Sequence, residues 1–341
     1  MLVTQVKTRF LAAEVKVKRL NNLFEQITTL DNLRLADKKA RRGKLKSYGV
    51  QKHIQNSEEN LQQLLVLLKE GTFKTSSYDI FNLVTDAGKE RKIYRLPYYP
   101  DRILHHAIMN ILEPVWMSIF TADTYSCIKG RGIHGVVRNL KKALKDKQET
   151  KYCLKLDIKK FYPTVKHSVL KTLLRKKIKD IRLLSMLDEI IDSAPGIPIG
   201  NYLSQFFANI YLAYLDHWLK EVYKVKYYFR YADDFVILHK SKQFLQYLRC
   251  EIESYLQNKL QLQLKENWQV FPVNSRGIDF VGYVFRHSHV LLRKTIKIAW
   301  ARKAVKVHKR EQRIHISKQE LCSYTGWALH CNAITLQRKL A

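Results

Sequence analysis

The sequence predicts an α+β fold in which helices frame a small central sheet. Three observations carry that expectation. Apolar residues recur at helical spacing through the first 75 residues and again near the C-terminus. Two short aromatic and β-branched runs, Tyr152–Asp157 and Val225–His239, favour strands. The connection between them is helix-rich, which lets both strands lie side by side in one sheet.

Composition bounds the function. With 341 residues, 46% of them hydrophobic, the chain buries a substantial core and has room for two or three lobes. A formal charge of +31, from 61 Lys and Arg against 30 Asp and Glu, exceeds what solubility requires and points to a polyanionic partner. Nucleic acid leads. An anionic membrane surface is the alternative, but no apolar run is long enough to span a bilayer and no leading signal sequence is evident, so a cytoplasmic protein with no membrane partner is expected. Cys127, Cys153, Cys250, Cys322 and Cys331 form no CxxC pair and are odd in number, which indicates neither a disulfide framework nor a zinc site.

In chain order, Leu20, Leu23, Phe24 and Ile27, then Leu61, Leu64, Leu65 and Leu68 before Gly71, mark N-terminal helices. The intervening Lys38–Lys46 run is either a solvated face or a phosphate contact. Alternation around Phe81, Leu83 and Val84, a turn at Asp86-Ala87-Gly88 and a second run from Arg91 to Pro97 predict a hairpin carrying cations. Pro100-Asp101 then opens a helix whose apolar side is Ile103, Leu104, Ala107, Ile108, Ile111 and Leu112. His105 and His106 diverge by ~100° on that helix, so they are structural rather than a chelating pair. In Tyr125–Gly135, glycines alternate with basic residues, a pattern that brings backbone close to phosphate or simply makes a loop and helix start.

The chemistry lies in two acidic elements. An apolar strand delivers Asp157 at its end, followed by the aromatic pair Phe161-Tyr162 before Pro163 breaks the strand. The second is Tyr231-Ala232-Asp233-Asp234, a tight turn between two strands with acid at its tip. Adjacent aspartates at the edge of apolar strands repel one another and seek a cation, and such oxygen-rich sites suit Mg²⁺. Each element alone is commonly a cap or a solvated turn. Together, in a strongly basic chain, they form the constellation for two-metal phosphoryl transfer, with one ion activating a primer hydroxyl and the other steadying the leaving diphosphate.

The order Leu156-Asp157-Ile158-Lys159-Lys160-Phe161-Tyr162, then Ile199-Gly200-Asn201-Tyr202-Leu203-Ser204-Gln205, then Tyr231-Ala232-Asp233-Asp234, then Ile278-Asp279-Phe280-Val281-Gly282-Tyr283 resembles the catalytic motifs of reverse transcriptases. The resemblance implies a right-hand polymerase fold with an N-terminal helical extension (1–75), fingers (76–150), a ferredoxin-like palm with inserted finger helices (151–285) and a helical thumb (286–341). It implies Asp157 and Asp233 as principal ligands of two Mg²⁺ ions, which Mn²⁺ can replace, and Asp234 as a supporting carboxylate. Tyr162 takes the place of a steric gate against a ribose 2′-hydroxyl. Arg91, Lys129 and Arg131 lie in stretches similar to those that contact the incoming dNTP, alongside Ile199, Gly200, Ser204 and Gln205 of the middle motif. Lys265 matches either a late-palm proton donor to diphosphate or a surface lysine, and Phe280, Gly282 and Tyr283 resemble the primer grip.

The middle motif narrows the subfamily. Retroviral and group II intron enzymes usually begin it with Gln-Gly and end it with Ser-Pro, where this chain has Ile199-Gly200 and Ser204-Gln205. That form is similar to the enzymes of diversity-generating retroelements, as are Gln26–Thr29, Trp268–Val270 with Arg276-Gly277, and Leu291–Lys294. The resemblance implies a bacterial or phage-encoded enzyme that copies a structured template RNA into cDNA with errors opposite adenine, holds the RNA–cDNA duplex and works with a small basic ring-forming accessory protein. A phage-defence reverse transcriptase using a dedicated noncoding RNA, or a non-catalytic RNA-binding scaffold, are the alternatives. In the last segment Arg293, Lys294, Lys297, Arg302, Lys303, Lys306, Lys309, Arg310 and Arg313, set among Ile296, Ile298, Ala301 and Val305, give a helix with a packed face and a basic face suited to a duplex backbone.

Overall fold

The computed structural model describes residues 19–84, 90–311 and 321–340. The expected turn at Asp86-Ala87-Gly88 and the basic Arg313 lie outside the described residues, as do the side chains of Lys309 and Arg310.

The centre is a four-stranded antiparallel sheet. Its strands are β3 (Tyr152–Asp157), β4 (Tyr227–Tyr231), β5 (Asp234–His239) and β6 (Gln269–Pro272), in the order β4-β5-β3-β6. Helices Phe161–Thr164, His167–Arg175, Ile181–Asp192 and Ser204–Glu221 connect β3 to β4, and helix Lys242–Leu260 connects β5 to β6. This is a βαββαβ unit with its two central strands, β3 and β5, paired, as the sequence predicts. The inner strands are buried on both faces because helices cover one side and the C-terminal elements the other, so Phe235, Val236, Ile237 and Leu238 form a continuous apolar run.

The N-terminal helices Leu23–Ile27, Leu30–Ala40, Tyr48–Gln55 and Ser57–Glu70 share one core with the helices that connect the central strands and with helix Ile103–Met117. Thr29 caps the second of them by accepting from Asn32 N at 3.2 Å, and Asn32 Nδ2 in turn donates to Ala107 O at 3.1 Å. His105 is buried in the Ile103–Met117 helix, where burial pushes its imidazole down to about 3. His106 stacks on Tyr202 with ring centroids 4.3 Å apart. Among the described residues, no helix is long and apolar enough to cross a membrane.

Several local expectations need correction. β3 ends at Asp157 as expected, but Pro163 is not what breaks it: Lys160 takes a left-handed backbone (φ 46°) and Pro163 sits inside the one-turn helix that follows. The hairpin of β1 (Asp79–Val84) and β2 (Glu90–Arg95) forms in the expected place, but every residue of β1 is exposed, so its alternation marks no buried face. Residue 285 is not a clean border either, because β7 (Ile278–Phe280), β8 (Tyr283–Phe285) and β9 (Val290–Leu292) form one sheet that straddles it. In helix Lys294–Glu311 the packed face is Trp300, Ala304 and Val307, while Ile298 and Val305 are exposed. This face and the β7–β9 sheet build a second core with Val136, Val137 and Leu140 of helix Gly132–Ala143.

Candidate active site

The acidic turn is built from backbone register. β4 and β5 are joined by Ala232 and Asp233 alone, with Tyr231 opposite Asp234, and Ala232 adopts φ 54° to close the turn. Across the next ladder Asp157 stands opposite Asp234, and Ile158 N donates to Asp233 O at 3.3 Å. Asp157 and the adjacent pair Asp233-Asp234, 76 and 77 residues further on, therefore meet at one end of the sheet.

Their electrostatics show mutual conflict. Burial, reinforced by Asp157, holds Asp233 above the ordinary carboxylate range. Burial pushes Asp234 up to about 6; Asp157 and Asp233 add to the rise while Lys155 and Arg293 oppose it. Lys265, whose backbone N donates to Asp157 O at 2.8 Å, also places Nζ on Asp157 Oδ2, so it is a neighbour of the acids and not a free surface lysine. Asp157 Oδ1 and Asp234 Oδ1 remain buried without a hydrogen-bond partner among the described residues. Among the described residues no three His, Cys, Asp or Glu side chains assemble as a ready metal cage. Two orphaned carboxylate oxygens beside a third carboxylate still fit Mg²⁺, which takes one or two protein carboxylates and leaves its other positions to water and phosphate.

The other expected residues divide into two groups. Tyr162 belongs with the acids: it lies within electrostatic reach of Asp233, Tyr231, Cys127 and Arg91, and burial pushes its phenol up to about 12. Ile199 is half-buried, and its carbonyl accepts from Tyr94 N of β2 at 2.7 Å. Gly200 has φ 115°, and a Cβ there would enter the van der Waals shell of Tyr94 O, so only glycine allows β2 to rest on this loop. Ser204 is buried at the start of its helix with Oγ unpartnered among the described residues, and Gln205 is exposed. Arg91 and Lys129 are exposed. Arg131 is part-exposed and commits Nη1 to its own loop, donating to the carbonyls of Thr121 and Thr124, the latter at 2.9 Å. Phe280 and Tyr283 are fully buried, and Gly282 (φ 88°) lies against Trp327 and Ile296. These three support the β7–β8 turn from within, so any contact with a primer falls to the turn's backbone rather than to those side chains.

A family model described as reverse transcriptase (RNA-dependent DNA polymerase) matches residues 79–285, more than half of the chain. The chain belongs to the reverse transcriptase family. Among curated relatives, the protein YkfC of Escherichia coli is 27% identical over 252 residues, covering 61% of this chain and 64% of that protein. The group II intron-encoded protein LtrA of Lactococcus lactis is 22% identical over 303 residues, covering 67% of this chain and 50% of that protein. The matches thus span between half and two thirds of the length of these relatives. A solved telomerase from Candida tropicalis, in complex with a fragment of telomeric RNA, aligns over 63% of this chain and 44% of that one with TM-score 0.48 and 14% identity, a likeness too distant to bear on the site.

What motif reading missed in this reverse transcriptase is the support under the acidic turn. Arg230, fully buried, donates through Nε and Nη2 to Asp216 at 2.6–3.0 Å and through Nη1 to Asn209 Oδ1 at 3.1 Å and Ala232 O at 3.0 Å. Tyr228 OH donates to Asp216 Oδ1 at 2.6 Å and Thr124 Oγ1 to Asp216 Oδ2 at 2.8 Å, completing the carboxylate's partners. Its signal in the sequence is an arginine inside an apolar strand, where alternation would place it indoors.

Proposed function

We propose that this reverse transcriptase family member is an RNA-directed DNA polymerase that extends a primer on template RNA by two-metal nucleotidyl transfer. The observation that carries this reading is the pairing of Asp157 with Asp234 beside Asp233, with two carboxylate oxygens buried and unpartnered. Asp157 and Asp233 would hold the ions, Asp234 would support them, and Lys265 orients the Asp157 carboxylate. Bound there, Mg²⁺ supplies Lewis acidity toward the primer hydroxyl and neutralises charge on the diphosphate. Tyr162 fills the space beside Asp233 and excludes a 2′-hydroxyl, Arg91 and Lys129 attract the triphosphate, and Ile199-Gly200, held by β2, lies along the nascent pair. In the same reading, residues 76–150 serve as fingers, 151–285 as palm and the remainder, with the β7–β9 sheet at its base, as thumb.

Within the family, the Ile199-Gly200-Asn201 opening and the Ser204-Gln205 close favour an error-prone enzyme of a diversity-generating retroelement, with a structured template RNA and a small basic accessory protein as partners. The first test is extension of a DNA primer on RNA with dNTPs and Mg²⁺, in parallel with Asp157→Asn. Extension by the wild type alone supports the polymerase; RNA binding with no extension by either protein would reduce the chain to a scaffold. Flanking DNA carrying two near-copies of one segment that differ at adenines supports the retroelement, and a flank without them assigns the cDNA to a dedicated noncoding RNA.

A further inference from the structure

Arg230 sits where helix Ser204–Glu221, the acidic turn and the loop Thr121–Arg131 meet, and it bonds to all three. Its two nitrogens on Asp216 fix it to helix Ser204–Glu221, and Asn209 from the same helix accepts from Nη1. The strand backbone at the same residue binds the finger loop: Arg230 N donates to Asp123 O at 2.9 Å, and Tyr125 N donates to Arg230 O at 3.0 Å. Thr124 Oγ1 reaches both Asp216 and, at 3.4 Å, Arg230 Nη2, while Asn209 Nδ2 donates to Ser126 O at 2.8 Å. The loop so held carries Cys127, within reach of Tyr162 and Tyr231, and then Lys129. The remaining Nη1 bond goes to Ala232 O, the carbonyl immediately before Asp233.

We propose that Arg230, paired with Asp216, is a positioning residue that locks the turn bearing Asp233 to the loop Thr121–Arg131, so that metal-side and nucleotide-side groups are held as one body. Two physical arguments separate this from a role in stability alone. A buried ion pair contributes little net stability compared with an apolar pair of similar volume, so folding does not require one here. Ala232 also carries a left-handed backbone, which a residue with a Cβ adopts reluctantly, and Arg230 gives its carbonyl a fixed donor. The inference rests on the proposed metal role of Asp233, and its test is chosen to fail separately from that role.

The test replaces the pair with apolar side chains, Arg230→Met with Asp216→Leu, in the full chain. Expected results are a fold retained by circular dichroism, a primer-extension rate lower by about 100-fold, the scale of a ~1 Å misplacement at a reacting centre, and a several-fold higher Mg²⁺ concentration at half-maximal rate. Direct Mn²⁺ titration without primer or dNTP, read by electron paramagnetic resonance, should show the same several-fold weakening. A purely structural role would shift the unfolding temperature and leave metal affinity unchanged. Thr124→Val, which keeps the side chain's shape and removes its hydroxyl's bonds to Asp216 and Arg230 together with a 3.3 Å contact to the Thr121 hydroxyl, should shift both metal readouts in the same direction by a smaller factor. If the double variant does not fold, this single variant decides. Wild-type metal affinity in a folded variant overturns the coupling, and if Asp157→Asn is inactive in the same assay the polymerase reading stands without it.

Discussion

Two antiparallel hairpins in this reverse transcriptase begin from similar sequence patterns and end in opposite surroundings. β4–β5 lies inside a four-stranded sheet with Phe229, Arg230, Phe235 and Val236 buried, and its turn carries Asp233. β1–β2 pairs only with itself, and its Ile80, Phe81, Leu83 and Val84 are 39–66% exposed. Where the body meets it, Tyr94 N donates to Ile199 O and the chain rests on Gly200. Alternation of apolar and polar residues sets strand character in both; tertiary partners decide which one becomes a rigid mount for charge and which an exposed arm. Carboxylates that repel one another need the rigid mount, because each ångström of relaxation would separate them from a shared cation.

The sharpest way to break that comparison is to make the same substitution on both hairpins. Asp233→Asn should reduce primer extension on the order of 1,000-fold, as expected when several kcal/mol of charge stabilisation is lost. RNA binding should stay within about 2-fold, because phosphate contacts are spread over many cations. Asp79→Asn, which breaks the exposed pair with Arg95, should change extension by less than about 2-fold, since surface pairs contribute little. Equal effects in a quantitative extension assay would erase the distinction between mount and arm.

The next largest effect should come from the arm's resting point. Gly200→Ala puts a Cβ into the space of the Tyr94 carbonyl and lifts β2 from Ile199. A loss of about 10- to 100-fold in kcat/KM for dNTP is expected, with Asp233-dependent metal affinity unchanged. Unaltered steady-state kinetics would show that the arm's seat is irrelevant to synthesis.

A smaller and more selective effect is expected at Tyr162, which feels charges from both hairpins, Asp233 of one and Arg91 of the other. Tyr162→Ala should raise ribonucleotide incorporation relative to deoxyribonucleotide by about 10-fold or more, because it opens a cavity without removing a carboxylate. Competition between the two sugars on one template measures it, and unchanged selectivity would assign the ring to packing.

How much of this was legible in the sequence follows from distance along the chain. The β3–β5 pairing and the convergence of Asp157, Asp233 and Asp234 were readable, because short strands with acid at their ends leave few alternatives in a βαββαβ sheet. The Arg230 network was not: an arginine inside an apolar strand marks a buried cation, but its partners Asp216, Asn209 and Thr124 lie 14, 21 and 106 residues away and nothing in the sequence names them. The side-chain directions of Arg131, Phe280 and Tyr283 were not legible for a related reason. Motif position tells which segment approaches the cleft, whereas the direction of a side chain is settled by the carbonyls of Thr121 and Thr124 in one case and by the second apolar core in the other.

The smallest expected effect concerns Ile199, where the arm meets the middle motif. Its backbone is committed, since the carbonyl accepts from Tyr94 N at 2.7 Å, but its half-buried side chain offers only apolar contact where the wider family places a glutamine. Because the backbone bond does not depend on the side chain, Ile199→Gln should leave β2 seated and restore one directional donor and acceptor near the nascent pair. One hydrogen bond contributes about 1 kcal/mol net, a several-fold change in discrimination. That term is too small to create a strong adenine bias alone, so misincorporation opposite template adenine should fall by a modest factor while synthesis continues. Sequencing cDNA made by both proteins on one RNA template reads the difference. An unchanged adenine error rate in an active variant would place the origin of infidelity elsewhere in the site, and a loss of synthesis with the same error spectrum would make Ile199 a packing residue beneath the template.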